Sequence, residues 1–139
     1  MRCMVTITAR YDGDLSTTAT HGPSGATIRT DAPKDNEGQG RFFSPTDLVA
    51  SALGSCMLTI MGIVARRHDL DIRGATVKVQ KEMNQNPRRI GKLSVVIQVP
   101  GVLTAEQRQL LENAAHNCPV HKSMHPDVAM PIRFEWAGS

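Results

Sequence analysis

Ser44-Pro45-Thr46-Asp47-Leu48-Val49-Ala50-Ser51-Ala52-Leu53-Gly54-Ser55-Cys56-Met57-Leu58-Thr59-Ile60-Met61-Gly62-Ile63-Val64-Ala65-Arg66-Arg67 is the stretch that decides the fold. It opens as helices open. Ser44 is suited to the N-cap, Pro45 to the first helical position, and Asp47 stands three residues after the cap. An acidic group there also suits the positive end of the helix dipole, and Arg66-Arg67 suit the other end. Between them, Leu48 to Ala65 carries no charge. A helix of about 22 residues is about 33 Å long. The expected radius of gyration of a chain this size is only roughly 14 Å. Such a helix crosses the whole domain and, being apolar nearly all round, must be covered on most sides. One small sheet cannot do that, so a second copy of the chain is expected to help. The run is barely long enough to span a bilayer. With Ser51, Gly54, Ser55, Thr59 and Gly62 inside it, the reading is a buried core helix.

Outward from this helix, the N-terminal side reads as strands. Residues 4–11 alternate, with Val5, Ile7, Ala9 and Tyr11 on one face, as a half-buried strand does. Asp12-Gly13 marks a turn, Leu15 to His21 a second strand, Gly22-Pro23-Ser24-Gly25 another turn, and Ala26 to Thr30 a third strand. Residues 31–43 form a polar loop long enough to suggest a role. On the C-terminal side, Ala75 to Glu82 alternates, Asn84 to Gly91 is a turn, and Leu93, Val95, Ile97 and Val99 make a clean strand face. Thr104 with Gln107 forms a capping box, and Leu103, Leu110, Leu111, Ala114 and Ala115 supply an apolar stripe. Pro119 stops or redirects the chain. Ile132, Phe134 and Trp136 form the last strand. The class is α+β, in a single domain of residues 1–139.

Composition narrows the function. Hydrophobic residues make up 40% of the 139 and aromatics only 4%, so the core is aliphatic. The net charge of +3 is scattered, with no aromatic interleaving of the kind that stacks bases, so no nucleic acid is expected. Three cysteines argue against a disulfide scaffold. The start, Met1-Arg2-Cys3-Met4-Val5, moves straight into alternation without a signal peptide. A cytoplasmic protein without a membrane partner is expected.

Two cysteines carry the candidate chemistry. Cys56 lies in the helix interior, where a buried thiol is often just a small hydrophobe. Gly54 and Ser55 beside it leave room for a ligand or another backbone. Cys118 lies where a new turn begins, and free backbone N–H groups favour a thiolate there. His121 and Lys122 add positive charge nearby. If the fold brings Cys56 and Cys118 together, the chain works as a dithiol. His116 and His121 flank Cys118, but the paired ligand clusters of a zinc site are missing, so no metal and no cofactor are expected. Cys3, in the first strand, reads as structural. Arg10 and Arg41 are the candidate cations for thiolate activation. Gln39 belongs to Gly38-Gln39-Gly40 just before Arg41. Nine residues at about 100° each place Asp47 on the helix face opposite Cys56, so capping is its expected role, whereas Thr46 sits about 80° from that face.

These residues together resemble the OsmC/Ohr family of osmotically inducible and organic hydroperoxide resistance proteins, over nearly the whole chain. The carriers are Gly38-Gln39-Gly40, Ser44-Pro45, Ala52-Leu53-Gly54-Ser55-Cys56, Ala114-Ala115-His116-Asn117 and Cys118-Pro119-Val120. The resemblance implies an intertwined homodimer. Two long central cysteine helices would be wrapped by antiparallel sheets, with active sites at the interface. It implies thiol peroxidase chemistry, with Cys56 peroxidatic, Cys118 resolving, a peroxide substrate and a dithiol reductant. It departs at two places. The organic hydroperoxide branch carries Glu after the helix-start proline, where this chain has Thr46. It carries Arg immediately before an N-terminal Asp-Gly, where this chain has Tyr11. The missing pair leaves open a second reading, a non-enzymatic scaffold binding a small apolar or thiol-reactive ligand. A third is a redox sensor or disulfide-handling protein.

Overall fold

A computed structural model describes residues 3–138. Met1 and Arg2, where the reading of the N-terminus began, lie outside them. The chain forms two compact units, Met1–Leu48 and Val49–Ser139.

The first unit holds an antiparallel three-stranded sheet in the order β1 (Ile7–Gly13), β2 (Ser16–His21), β3 (Thr27–Asp31). The expected meander is present, but its first turn lies two residues later than Asp12-Gly13. Gly13 pairs with Ser16, and Asp14 and Leu15 make the turn at φ 51° and 62°. Two successive left-handed residues match the twist of a two-residue hairpin. Cys3 precedes β1 and is exposed, which corrects its placement in the first strand. Cross-strand partners share a face. The rows Ala9–Ala19–Ile28 and Tyr11–Thr17–Thr30 belong to one face, and Arg10–Thr18–Arg29 belongs to the other. The apolar face is open: Ile7 and Tyr11 are each 65% exposed.

Helix α1 runs from Pro45 to Arg67. Its start is a reciprocal cap. The Ser44 backbone N–H donates to the Asp47 carboxylate at 2.9 Å, and the Asp47 N–H donates to Ser44 Oγ at 3.1 Å. By length and composition α1 is apolar enough to cross a membrane, and 33% of its most apolar window is buried.

In the second unit, Leu53, Met57 and Met61 of α1 are fully buried. They share a core with Leu93, Val95, Ile97 and Val99 of β5 (Arg89–Val99) and Leu111, Ala114 and Ala115 of α2 (Ala105–His116). The core is aliphatic, as composition required. β5 pairs antiparallel with β4 (Thr76–Asn84), and its strand begins at Arg89, inside the expected Asn84–Gly91 turn. Gly54 lets α1 approach β4: a Cβ there would stand 2.9 Å from Val77 Cγ1 and 3.0 Å from Val79 Cγ2. The last strand, β6 (Ile132–Trp136), pairs with β5 in parallel. The sheet is therefore mixed, which corrects the expectation of antiparallel sheets throughout. Parallel pairing needs a long crossover, and α2 and α3 (Pro119–Ser123) lie in that connection.

Candidate functional site

The Thr104–Gln107 capping box starts α2, with both reciprocal bonds formed at 2.9 and 3.1 Å. The helix ends at Asn117, whose N–H bonds back to Ala114 and Ala115. Cys118 follows directly, its backbone extended at φ −65° and ψ 136°, and it is the N-cap of α3. Pro119 therefore opens a helix rather than ending one, because its fixed φ and missing N–H suit the first helical position. The Cys118 sulfur accepts the His121 backbone N–H at 3.2 Å. Its residue is wholly buried.

Cys118 meets Cys56. Both thiols are free, and Cys56 lies near enough to Cys118 to influence its ionisation. Burial pushes the Cys118 thiol up from its ordinary value, and the hydrogen bond and charge of Cys56 add to this. The backbone N–H groups of His121 and Val120 pull the other way. Burial disfavours the charged form and donors favour it, and here burial wins. Cys56 is half-buried, on the flank of α1 between the Leu53–Met57–Met61 stripe and the exposed Ser51, Ser55 and Thr59. A half-buried cysteine thus lies near a fully buried one.

His121 reaches Cys118 through its backbone amide. Its ring meets His116 edge-on, with centroids 6.4 Å apart at 83°. Burial lowers the His121 pKa below the ordinary imidazole value, and the charges of His116 and Lys122 lower it further. The ring is therefore neutral near pH 7. His116 also faces Phe134 at 6.4 Å, and Phe134 stacks on Trp136 at 5.7 Å.

The other candidates belong to the first unit. Arg10 Nε donates to Asp12 at 2.8 Å, and Thr18 donates to the other oxygen of the same carboxylate. The Thr18 bond, then the Arg10 bond, lowers the Asp12 pKa. Gln39 is exposed on the loop after β3. Arg41 donates to a single oxygen of Asp31 twice, through Nε at 2.9 Å and through its backbone N–H at 3.0 Å. The Arg41 side-chain bond is the main reason Asp31 titrates below the usual carboxylate range. Thr46 Oγ1 lies 3.2 Å from Ser44 Oγ, and Asp47 is held in the helix cap. Sequence reasoning missed Asp31, a wholly buried carboxylate with its second oxygen unpartnered. The only signal was its place at one end of the polar loop that Arg41 closes at the other. It also missed Phe42, whose ring lies 4.5 Å from the Arg29 guanidinium carbon and 5.8 Å from that of Arg41.

The OsmC family model, described as OsmC-like protein, matches residues 38–132. Among solved structures, the chain is similar to a candidate osmotic stress induced and detoxification response protein from Psychrobacter arcticus 273-4. Identity is 44% and the TM-score 0.91, covering 97% of this chain and 98% of that one. An OsmC-like protein from Mycoplasma pneumoniae shares the fold at 18% identity and TM-score 0.82, covering 98% of this chain and 99% of that one. The organic hydroperoxide resistance protein OhrB of Bacillus subtilis does so at 22% identity and TM-score 0.70, covering 96% and 98%. No curated protein matches the chain.

Proposed function

The chain belongs to the OsmC-like protein family, and on that premise we propose that it is a thiol-dependent peroxidase. Its substrates are organic hydroperoxides or hydrogen peroxide. The observation that carries the proposal is the proximity of half-buried Cys56 to fully buried Cys118, whose ionisation it influences. The Cys56 thiolate attacks the terminal peroxide oxygen. The O–O bond breaks, the alcohol leaves with a proton, and Cys56 becomes a sulfenic acid. Cys118, already beside it, displaces water to form the disulfide. A dithiol reductant then returns both thiols by exchange and leaves as its own disulfide. Sulfur alone carries these electrons, so the proposal includes no metal or cofactor.

The working form is proposed to be an intertwined homodimer, each copy one OsmC-like domain, with the two cysteine helices central and a site at each interface. Two observations support it. The first unit's sheet leaves Ile7, Tyr11 and Ile28 exposed, and α1 is apolar over far more of its surface than its own unit buries. The relatives' roles in detoxification and hydroperoxide resistance point the same way, and a cytoplasmic location fits dithiol recycling. Mixing reduced protein with cumene hydroperoxide and counting thiols tests the proposal. Thiol loss no faster than that of free cysteine sinks it.

One observation favours a second reading, a non-enzymatic protein binding a small apolar or thiol-reactive ligand. Position 46 is Thr, position 11 is Tyr, and Arg10 is committed to Asp12. Native mass spectrometry of gently purified protein separates the two. A retained ligand or a Cys56 adduct supports binding, and a clean dimer with rapid turnover excludes it.

A further inference from the structure

Helix α3 is only five residues long. Helices this short have almost no stability of their own, because nucleation is costly and propagation never repays it. Local bonds must hold it. Lys122 N–H donates to the Cys118 carbonyl at 3.1 Å, and Ser123 Oγ donates to the Pro119 carbonyl at 2.8 Å. At the N-terminal end Pro119 has no N–H, so the donors needing a partner are those of Val120 and His121. The His121 N–H turns to the Cys118 sulfur, at 3.2 Å. The sulfur that the peroxidase reading assigns to disulfide formation is therefore also the cap of this turn.

We propose that joining Cys118 to Cys56 uncaps α3, so that the oxidised protein carries a loosened turn over the disulfide through which a dithiol reaches it. The inference rests on the peroxidase reading. In the resolving step the Cys118 sulfur attacks the Cys56 sulfenic sulfur. The S–S bond forms, the S–O bond breaks, and oxygen leaves as water with the thiol proton. The Cys118 sulfur must close to covalent distance on the Cys56 sulfur, and that movement disturbs its bond from the His121 N–H. Moved off axis, the sulfur no longer holds the His121 N–H.

The consequence is directional access. In the reduced protein Cys118 is wholly buried, and thiol exchange requires in-line approach to a sulfur. Opening α3 only after oxidation admits the reductant when there is a bond to reduce. When the dithiol has exchanged through a mixed disulfide and left as a cyclic disulfide, both cysteines are thiols again. The cap then reforms and the sulfur is covered.

The test follows hydrogen exchange at Val120 and His121 in reduced protein and in protein oxidised with diamide. Diamide couples two thiols without peroxide chemistry, and thiol counting under denaturing conditions confirms the bond. In the disulfide form the His121 amide is expected to exchange about fivefold faster or more, the factor a typical N-cap is worth. Cys56→Ser treated in the same way should not change. Reduced Cys118→Ala should reproduce the fast exchange and Cys118→Ser should retain protection, because serine caps as well. A confirmed disulfide with unchanged His121 exchange overturns the inference. Failure of diamide to join the two sulfurs also overturns it. If cumene hydroperoxide leaves the thiols intact while the diamide-oxidised protein exchanges faster, the peroxidase reading fails and the redox-sensitive turn stands. If hydroperoxide forms the disulfide and His121 stays protected, the reverse holds.

Discussion

The buried thiol of Cys118 lies near the half-buried Cys56, which raises the Cys118 pKa. Burial is the larger cause of the raised Cys118 pKa, and Cys56 is a separate, smaller cause. The two causes respond to different substitutions, which makes them separable.

Replacing Cys56 by Ala removes its influence but not the burial, so the Cys118 pKa is expected to fall in this variant. The pH dependence of alkylation at Cys118, read peptide by peptide, measures it. Exposed Cys3 serves as the internal standard. An unchanged Cys118 profile would remove Cys56 from its surroundings.

Gly54→Ala tests how closely α1 lies on β4. The added Cβ meets two valine methyl groups, Val77 Cγ1 and Val79 Cγ2, at or inside about 3.0 Å. Overpacking of this kind costs about 1–3 kcal/mol. Chemical denaturation should show the loss as a lower midpoint with an unchanged slope. Gly62, with open space where its Cβ would be, is the control: Gly62→Ala should be neutral or slightly stabilising.

Asp31 predicts an acid sensitivity. Its folded pKa lies below the ordinary value, chiefly through the Arg41 bond. A depressed carboxylate contributes stability above its unfolded pKa, about 3.9, and loses it as pH falls through the folded value. Asp31→Asn should flatten that part of the stability–pH curve below about pH 4. At neutral pH it should loosen the loop between Ala32 and Arg41, read as faster exchange of the Gly38 and Gly40 amides. These now donate to Pro33 and Ala32.

What the sequence made legible was local. The helix from Pro45 was readable because Ser44 and Asp47 cap it in three residues and no charge interrupts it afterwards. The Leu93–Val99 face and the Thr104 cap were readable for the same reason. The Asp14–Leu15 turn was hidden because leucine rarely takes a left-handed backbone, so Gly13 drew the assignment. Helix α3 was hidden because Pro119 reads equally as a stop and as a first helical residue. The parallel partner of β5 depends on a strand more than 30 residues away in sequence, and no local pattern encodes it. The closeness of Cys56 and Cys118, 62 residues apart by their numbers, is of that kind too. Spacing left it open, and only the resemblance to a family implied it. The buried Asp31 is the hardest case, since a polar loop end gives no sign that its carboxylate is covered.

The most direct measurement is a count of thiols and an identification of crosslinked peptides after reduced protein meets one equivalent of cumene hydroperoxide. The account predicts fast loss of two thiols per chain, a Cys56–Cys118 disulfide, and a trapped sulfenic acid at Cys56 in the Cys118→Ser variant. Thiols that survive the peroxide, or a first oxidation that falls on Cys118 or Cys3, would contradict it.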